Sequence, residues 1–181
     1  MRRAATLLAV AITMLWATGT YAGGNGALHA TAVLRDAAGQ VVGVARFTED
    51  ATGTVHVNVH VKGIAPGLHG IHIHAIGVCD GTTPTPFSSA GGHFNPSGAE
   101  HGLHNPAGPH AGDMPNLTVN GAGVGHLNAK TDNATLSASA RSVFDADGSA
   151  LVIHAMPDDQ VTNPTGNSGG RIACGVITAE D

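Results

Sequence analysis

The sequence predicts an all-β protein, an antiparallel barrel or sandwich built from short strands. Apolar and polar residues alternate with period two over successive stretches, and Gly, Asn and Asp cluster between them. No stretch carries a helical period of useful length.

Taken in order, Ala27–Leu34 reads as a strand, Arg35–Gly39 as a turn, and Val41–Phe47 as the returning strand. From Thr54 to Lys62 the alternation is unbroken. Val55, Val57, Val59 and Val61 share one face, while His56, Asn58, His60 and Lys62 share the other, the solvated one. Leu117–Val119 runs through Asn120–Gly121, a hairpin turn signal, into Val124–Ala129. Ala134–Ala140, Ser149–His154 and Arg171–Ile177 are the remaining expected strands. Between them lie two long segments without strand character, about residues 77–115 and 155–170. On a rigid scaffold, loops of this length are expected to carry function.

The first 22 residues stand outside this pattern. Arg2 and Arg3 precede an apolar run, Ala4–Ala17, and Thr20-Tyr21-Ala22 offers a small-x-small cleavage site. The run is short for a transmembrane helix, so export to the periplasm or the extracellular space is expected. Cleavage leaves one domain, residues 23–181, with no internal repeat or linker. Six of the 8 basic residues and all 13 acids remain, for a net charge of −7. A surface this acidic, without a basic cluster, argues against nucleic acid or an anionic membrane as partner. The only Trp and Tyr leave with the leader, so the aromatic core is limited to Phe47, Phe87, Phe94 and Phe144.

The chemistry is concentrated between His69 and Asp113, which holds seven of the 12 histidines. In His72-x-His74, the interleaved Ile71 and Ile73 mark a strand, so both imidazoles share a face opposite the isoleucines. Imidazoles on the strand, imidazoles on the loop at His93, His101 and His110, and a carboxylate at Asp113 make a metal-binding set rather than a merely polar loop. His29, His56, His60 and His126 read as polar strand positions. Cys79 and Cys174 are the only cysteines, and in an oxidising compartment they should pair, pinning the root of the His-rich loop to the last strand.

The runs Gly67-Leu-His-Gly-Ile-His-Ile-His, Gly92-His-Phe-Asn-Pro, His110-Ala-Gly-Asp113, Val152-Ile-His154 and Gly166-Asn-Ser-Gly-Gly-Arg-Ile-Ala-Cys-Gly-Val resemble copper,zinc superoxide dismutase of the exported bacterial type. The resemblance covers essentially the whole chain after the leader. It implies an eight-stranded Greek-key barrel and dismutation of superoxide, a small anionic substrate. Copper would be held by His72, His74, His93 and His154; zinc by His93, His101, His110 and Asp113, with His93 bridging the two. It further implies that Asp158 hydrogen-bonds a copper and a zinc histidine together, that Arg171 attracts the substrate beside the copper, and that Thr165 narrows the channel opposite it. Under the resemblance His69 is structural, and His104 is a solvated loop residue without a role. Monomer and homodimer both fit the family. Ala155–Gly170 has no Lys or Arg, unlike the longer, charged loop of eukaryotic members. Two rival readings are an exported copper-buffering protein of the same fold and a copper-only relative. The first would lack a ligand or Arg171, and the second the zinc set; all of these residues are in place.

Overall fold

The computed structural model describes residues 28–180; the expected leader, residues 1–22, lies outside them. The strands are β1 (Leu28–Asp36), β2 (Val41–Glu49), β3 (Val55–Lys62), β4 (Gly67–His69), β5 (Ile71–His74), β6 (Leu117–Val119), β7 (Val124–Thr131), β8 (Ala150–His154), β9 (Arg171–Val176) and β10 (Thr178–Ala179). Their hydrogen-bonded order is β4-β6-β7-β3-β2-β1-β9-β8-β5, with β10 a short addition on β1. The two ends of this ladder, β4 and β5, are separated in the chain by Gly70 alone. One continuous segment therefore pairs with β6 at its start and with β8 at its end. Counted as a single strand, it gives the eight strands expected and closes the barrel through the chain itself. The β6–β7 hairpin inserted between β4 and β3 is the Greek-key crossing.

Local chemistry accounts for the turns. Asp36 Oδ1 accepts from the N–H groups of Ala38 and Gln40, and Gly39 adopts φ +80°. Asn120 Oδ1 does the same for Ala122 and Val124, which sets the β6–β7 turn. The period-two face of β3 is buried at each valine and exposed between them. Phe47, Leu34, Leu117, Leu151, Ile71 and Ile153 fill the interior. Phe87 and Phe94 are also buried, but Phe144 is 37 % exposed and so is not part of the aromatic core.

The expected strand Ala134–Ala140 does not form. Its backbone donors have another partner: the buried carboxylate of Glu49 accepts from the N–H groups of Leu136 and Ser137 and from the Ser137 hydroxyl. A carboxylate at the end of β2 thus replaces a neighbouring strand. A single parallel bridge, Thr135 to Ser142, is what remains of pairing there.

In β5 every residue is buried. Ile71 and Ile73 face the barrel interior, whereas His72 and His74 face outward and are covered by the two long loops. Cys79 is bonded to Cys174, 95 residues away, fixing the first of those loops to β9. On the chain-entropy account, a closure of this length contributes about 4–5 kcal/mol. Phe87 and Ala90 pack on Cys174 and Val152 beneath it, so the loop root has a small core of its own.

Candidate metal centre

Strand β5 presents His72 and His74, β8 presents His154, and the loops bring in the rest. His72, His74, His93 and His154 converge so that one donor atom from each lies within 4.8 Å of the others. Their second nitrogens show which atoms are free. His72 donates from Nε2 to Asp158 Oδ2 at 2.7 Å, leaving Nδ1. His74 donates from Nδ1 to the Gly91 carbonyl and His154 from Nδ1 to the Gly169 carbonyl, leaving Nε2 on each. Those two bare nitrogens stand 3.3 Å apart. Two lone pairs facing one another at that distance repel unless a cation sits between them. His72 Nδ1 and His93 Nε2 are buried and have no hydrogen-bond partner at all. Such orphaned polar atoms are rare in folded proteins and need a reason, and a metal ion accepting their lone pairs supplies it.

The other nitrogen of His93 belongs to a second group. His93 Nδ1, His101 Nδ1 and His110 Nδ1 lie 3.1, 2.9 and 3.4 Å from Asp113 Oδ1, and His93 Nδ1 and His110 Nδ1 are 3.3 Å apart. A tetrahedral ion with ligands at about 2.0–2.1 Å needs donors about 3.3 Å from one another, so these spacings fit. A four-residue grouping around Asp113 with its donor atoms all within 4.8 Å of one another contains His72 in place of His110. Because His72 Nε2 is committed to Asp158 and its ring stacks on His93 at 4.0 Å, we assign its presence there to crowding and keep His110 in the set.

Asp113 is aimed by its own backbone contacts. Its Oδ2 accepts from the N–H groups of Gly102 and His110 at 2.8 and 3.0 Å, which turns Oδ1 toward the three imidazoles. Asp158 joins the groups, with Oδ2 on His72 and Oδ1 on His101 Nε2 at 3.1 Å. Gly166, at φ +60°, presses its backbone onto this bridge; a Cβ there would collide with Asp158 Oδ1.

Burial governs the protonation states. It pushes His72 down to about 4 and His154 to about 3, and holds His74 well below its ordinary value. All three rings are neutral at physiological pH, which is the form that binds metal. His101 behaves oppositely: burial would lower it, but hydrogen bonds to Asp113 and Asp158 outweigh that and raise it to about 9. For Asp113 and Asp158, burial would raise the carboxyls, yet the bonds from His101 and its histidine neighbours hold both below the usual carboxylate range.

His74, His93 and His154 open onto a cleft of about 670 Å³, whose wall includes Thr165 and Arg171. Arg171 donates to the carbonyls of Phe87 and Gly91, and Gly91 also accepts from His74. The position of the guanidinium is thereby tied to that of His74 on β5. His69 is buried away from both groups, its ring nitrogens each 2.8 Å from a carbonyl oxygen, of His154 and of Ala65. His104 is exposed and in neither group. Sequence reasoning missed Asn116, which holds the backbone of Asp158 from both sides, and Asn163, which accepts from the His101 N–H. An asparagine in a loop carries no signal of such a partner.

Comparison with known proteins agrees with this geometry. Residues 41–177 match the family described as copper/zinc superoxide dismutase (SODC). A protein of Aquifex aeolicus (strain VF5) named superoxide dismutase [Cu-Zn] 2 is 44 % identical over 152 residues, covering 83 % of this chain and 86 % of the relative. Superoxide dismutase-like protein YojM of Bacillus subtilis (strain 168) is 40 % identical over 141 residues, 77 % of this chain and 70 % of the relative. The crystal structure of a SOD-like protein from Bacillus subtilis superposes with a TM-score of 0.75 at 39 % identity, covering 81 % of this chain and 96 % of that one.

Proposed function

The chain belongs to the copper/zinc superoxide dismutase family, and from that premise we propose that it converts superoxide to oxygen and hydrogen peroxide. Copper would be held by His72, His74, His93 and His154, and zinc by His93, His101, His110 and Asp113, with His93 offering one ring nitrogen to each group. When bound, copper supplies the one-electron couple that oxidises one superoxide and reduces the next. The chain's own groups do the rest. Arg171, at the cleft wall, draws in and orients the anion. Thr165 shares that wall and restricts what can enter. His93 Nε2, the buried nitrogen without a hydrogen-bond partner, would hold a proton only while it is off the metal, and from there could pass it to the reduced product. Asp158 fixes the tautomers of His72 and His101. The observation that carries this reading is the set of free nitrogens, each left bare by a hydrogen bond or contact at the opposite ring atom, gathered within 4.8 Å of one another beside the cleft.

The purified protein should contain copper and zinc in equal amounts and consume superoxide at a rate proportional to copper. Bound copper without accelerated consumption would instead establish the copper-buffering reading. Zinc loading gives a separate check. In the metal-free protein His101 carries a proton at neutral pH, since it titrates near 9. Ligation at Nδ1 displaces that proton, so zinc uptake at pH 7 should release about one proton from this site. The release should vanish as the pH rises above 9. Calorimetry in buffers of different ionisation enthalpy reads it directly, and zinc uptake without proton release at pH 7 would rule out the assignment.

We further propose that the protein is exported, that residues 1–22 are removed, and that residues 23–181 form the working domain. The Cys79–Cys174 bond fits an oxidising compartment.

A further inference from the structure

We propose that His60 and His126 form a separate metal-binding site on the outer face of the barrel, one that takes a borderline divalent transition ion, copper(II) above all. The two residues are direct partners in the β3–β7 register. Side chains directly opposed on one face of an antiparallel pair have Cβ atoms about 4.5–5.5 Å apart. From that spacing two imidazoles can turn to place one nitrogen each on a single ion. Here the ring centroids are 4.4 Å apart with the planes at 85°, both rings are exposed, and neither makes a hydrogen bond among the described residues. The rings are therefore free to turn, and both are already in place on a rigid sheet.

The other histidines outside the metal centre are differently placed. His56 lies on the same face of β3, but its Nε2 is bonded to Asp50 and its partner across β7 is the cation Lys130. His29 is bonded to Thr48 on β2. The row containing His60 and His126 continues to Val44 on β2 and Thr118 on β6, neither of them charged. Two imidazoles and water are then the whole ligand set, which suits copper(II) best, with nickel(II) and zinc(II) weaker. Lys62, two residues along β3, and Arg46, one row away on β2, are cations on the same face and hold the affinity to a modest level. This site lies on β3 and β7, apart in the ladder from β5 and β8, so it does not draw on the ligands of the centre described above.

The test is a copper(II) titration of protein already carrying its full complement of metals, followed by equilibrium dialysis and electron paramagnetic resonance. Wild type should take up one further equivalent with a signal split by imidazole nitrogens. His60→Ala and His126→Ala should each lose that equivalent, while His56→Ala retains it. His60→Gln and His126→Gln, which keep a polar side chain on the strand, should behave as the alanine variants do, with superoxide consumption and melting temperature unchanged. Equal uptake by all variants, or no further equivalent in wild type, would overturn the proposal.

Discussion

Replacing Asp113 with alanine is expected to remove zinc and to lower the melting temperature by about 10 °C, while the rate per bound copper stays largely in place. The side chain is completely buried, and its two oxygens meet three imidazoles and two backbone N–H groups. Removing one partner from a buried charged network costs about 3–5 kcal/mol. For a domain of this size each kcal/mol moves the midpoint by about 2–4 °C. The loss should concentrate in the loop, since Gly102 and His110 would be left with unpaired N–H groups. The four histidines proposed for copper are untouched, and Asp158 still orients His72. Zinc and copper content, calorimetric melting and a superoxide assay on one preparation decide the matter. Loss of turnover with copper retained and the melting temperature unchanged would mean that the two ions do not divide their work in this way.

Arg171 should give the second large effect. Superoxide is an anion, and residues 23–181 carry a net charge of −7, so the overall field opposes its approach. Productive approach depends on local positive potential at the cleft, and electrostatic steering contributes from about tenfold upward in on-rate. Arg171→Ala should therefore slow consumption on the order of tenfold, and Arg171→Glu should slow it further. The structure adds an expectation. Because the guanidinium holds the Phe87 and Gly91 carbonyls, Arg171→Lys should restore only part of the rate, keeping the charge but losing the two-pronged anchor. Added salt screens these interactions over about 10 Å at 0.1 M. With local attraction dominant, the wild-type rate falls with salt and the Arg171→Ala rate falls less. A wild-type rate that rises with salt would show that the acidic surface governs approach.

What the sequence made legible depended on how local the physics is. Alternation in β3 reads directly, because a half-buried strand must show it, and the turns at Gly39 and Asn120 carry their own chemistry. The candidate metal ligands were legible as types and spacings, the family resemblance sorted them into proposed sets, and the fold brings them together. Partnerships across the chain were not. Glu49 captures the backbone of Leu136 and Ser137, more than 80 residues on, and nothing near Glu49 announces it. The pairing of His60 with His126 requires the β3–β7 register, which alternation alone does not fix. Gly91 acts through its carbonyl, shared by His74 and Arg171, and a backbone atom has no signature in the residue types.

The closing of the ladder by one segment has a consequence for association between molecules. β5 pairs with β8 on one side only; on the other, Ile73 exchanges backbone hydrogen bonds with Gly112 and Phe94, and His72 and His74 bridge to Asp113 and His93. The metal-binding loop is thus also the cover of a strand edge. While the loop is held by the Cys79–Cys174 bond, and by metal once the site is loaded, that edge offers nothing to another chain. Release it, and Ile71–His74 becomes an unpaired row of donors and acceptors carrying two isoleucines, a template for intermolecular strand pairing. Metal loading and disulfide formation therefore guard solubility as well as chemistry, and molecules that lack both are the ones expected to aggregate.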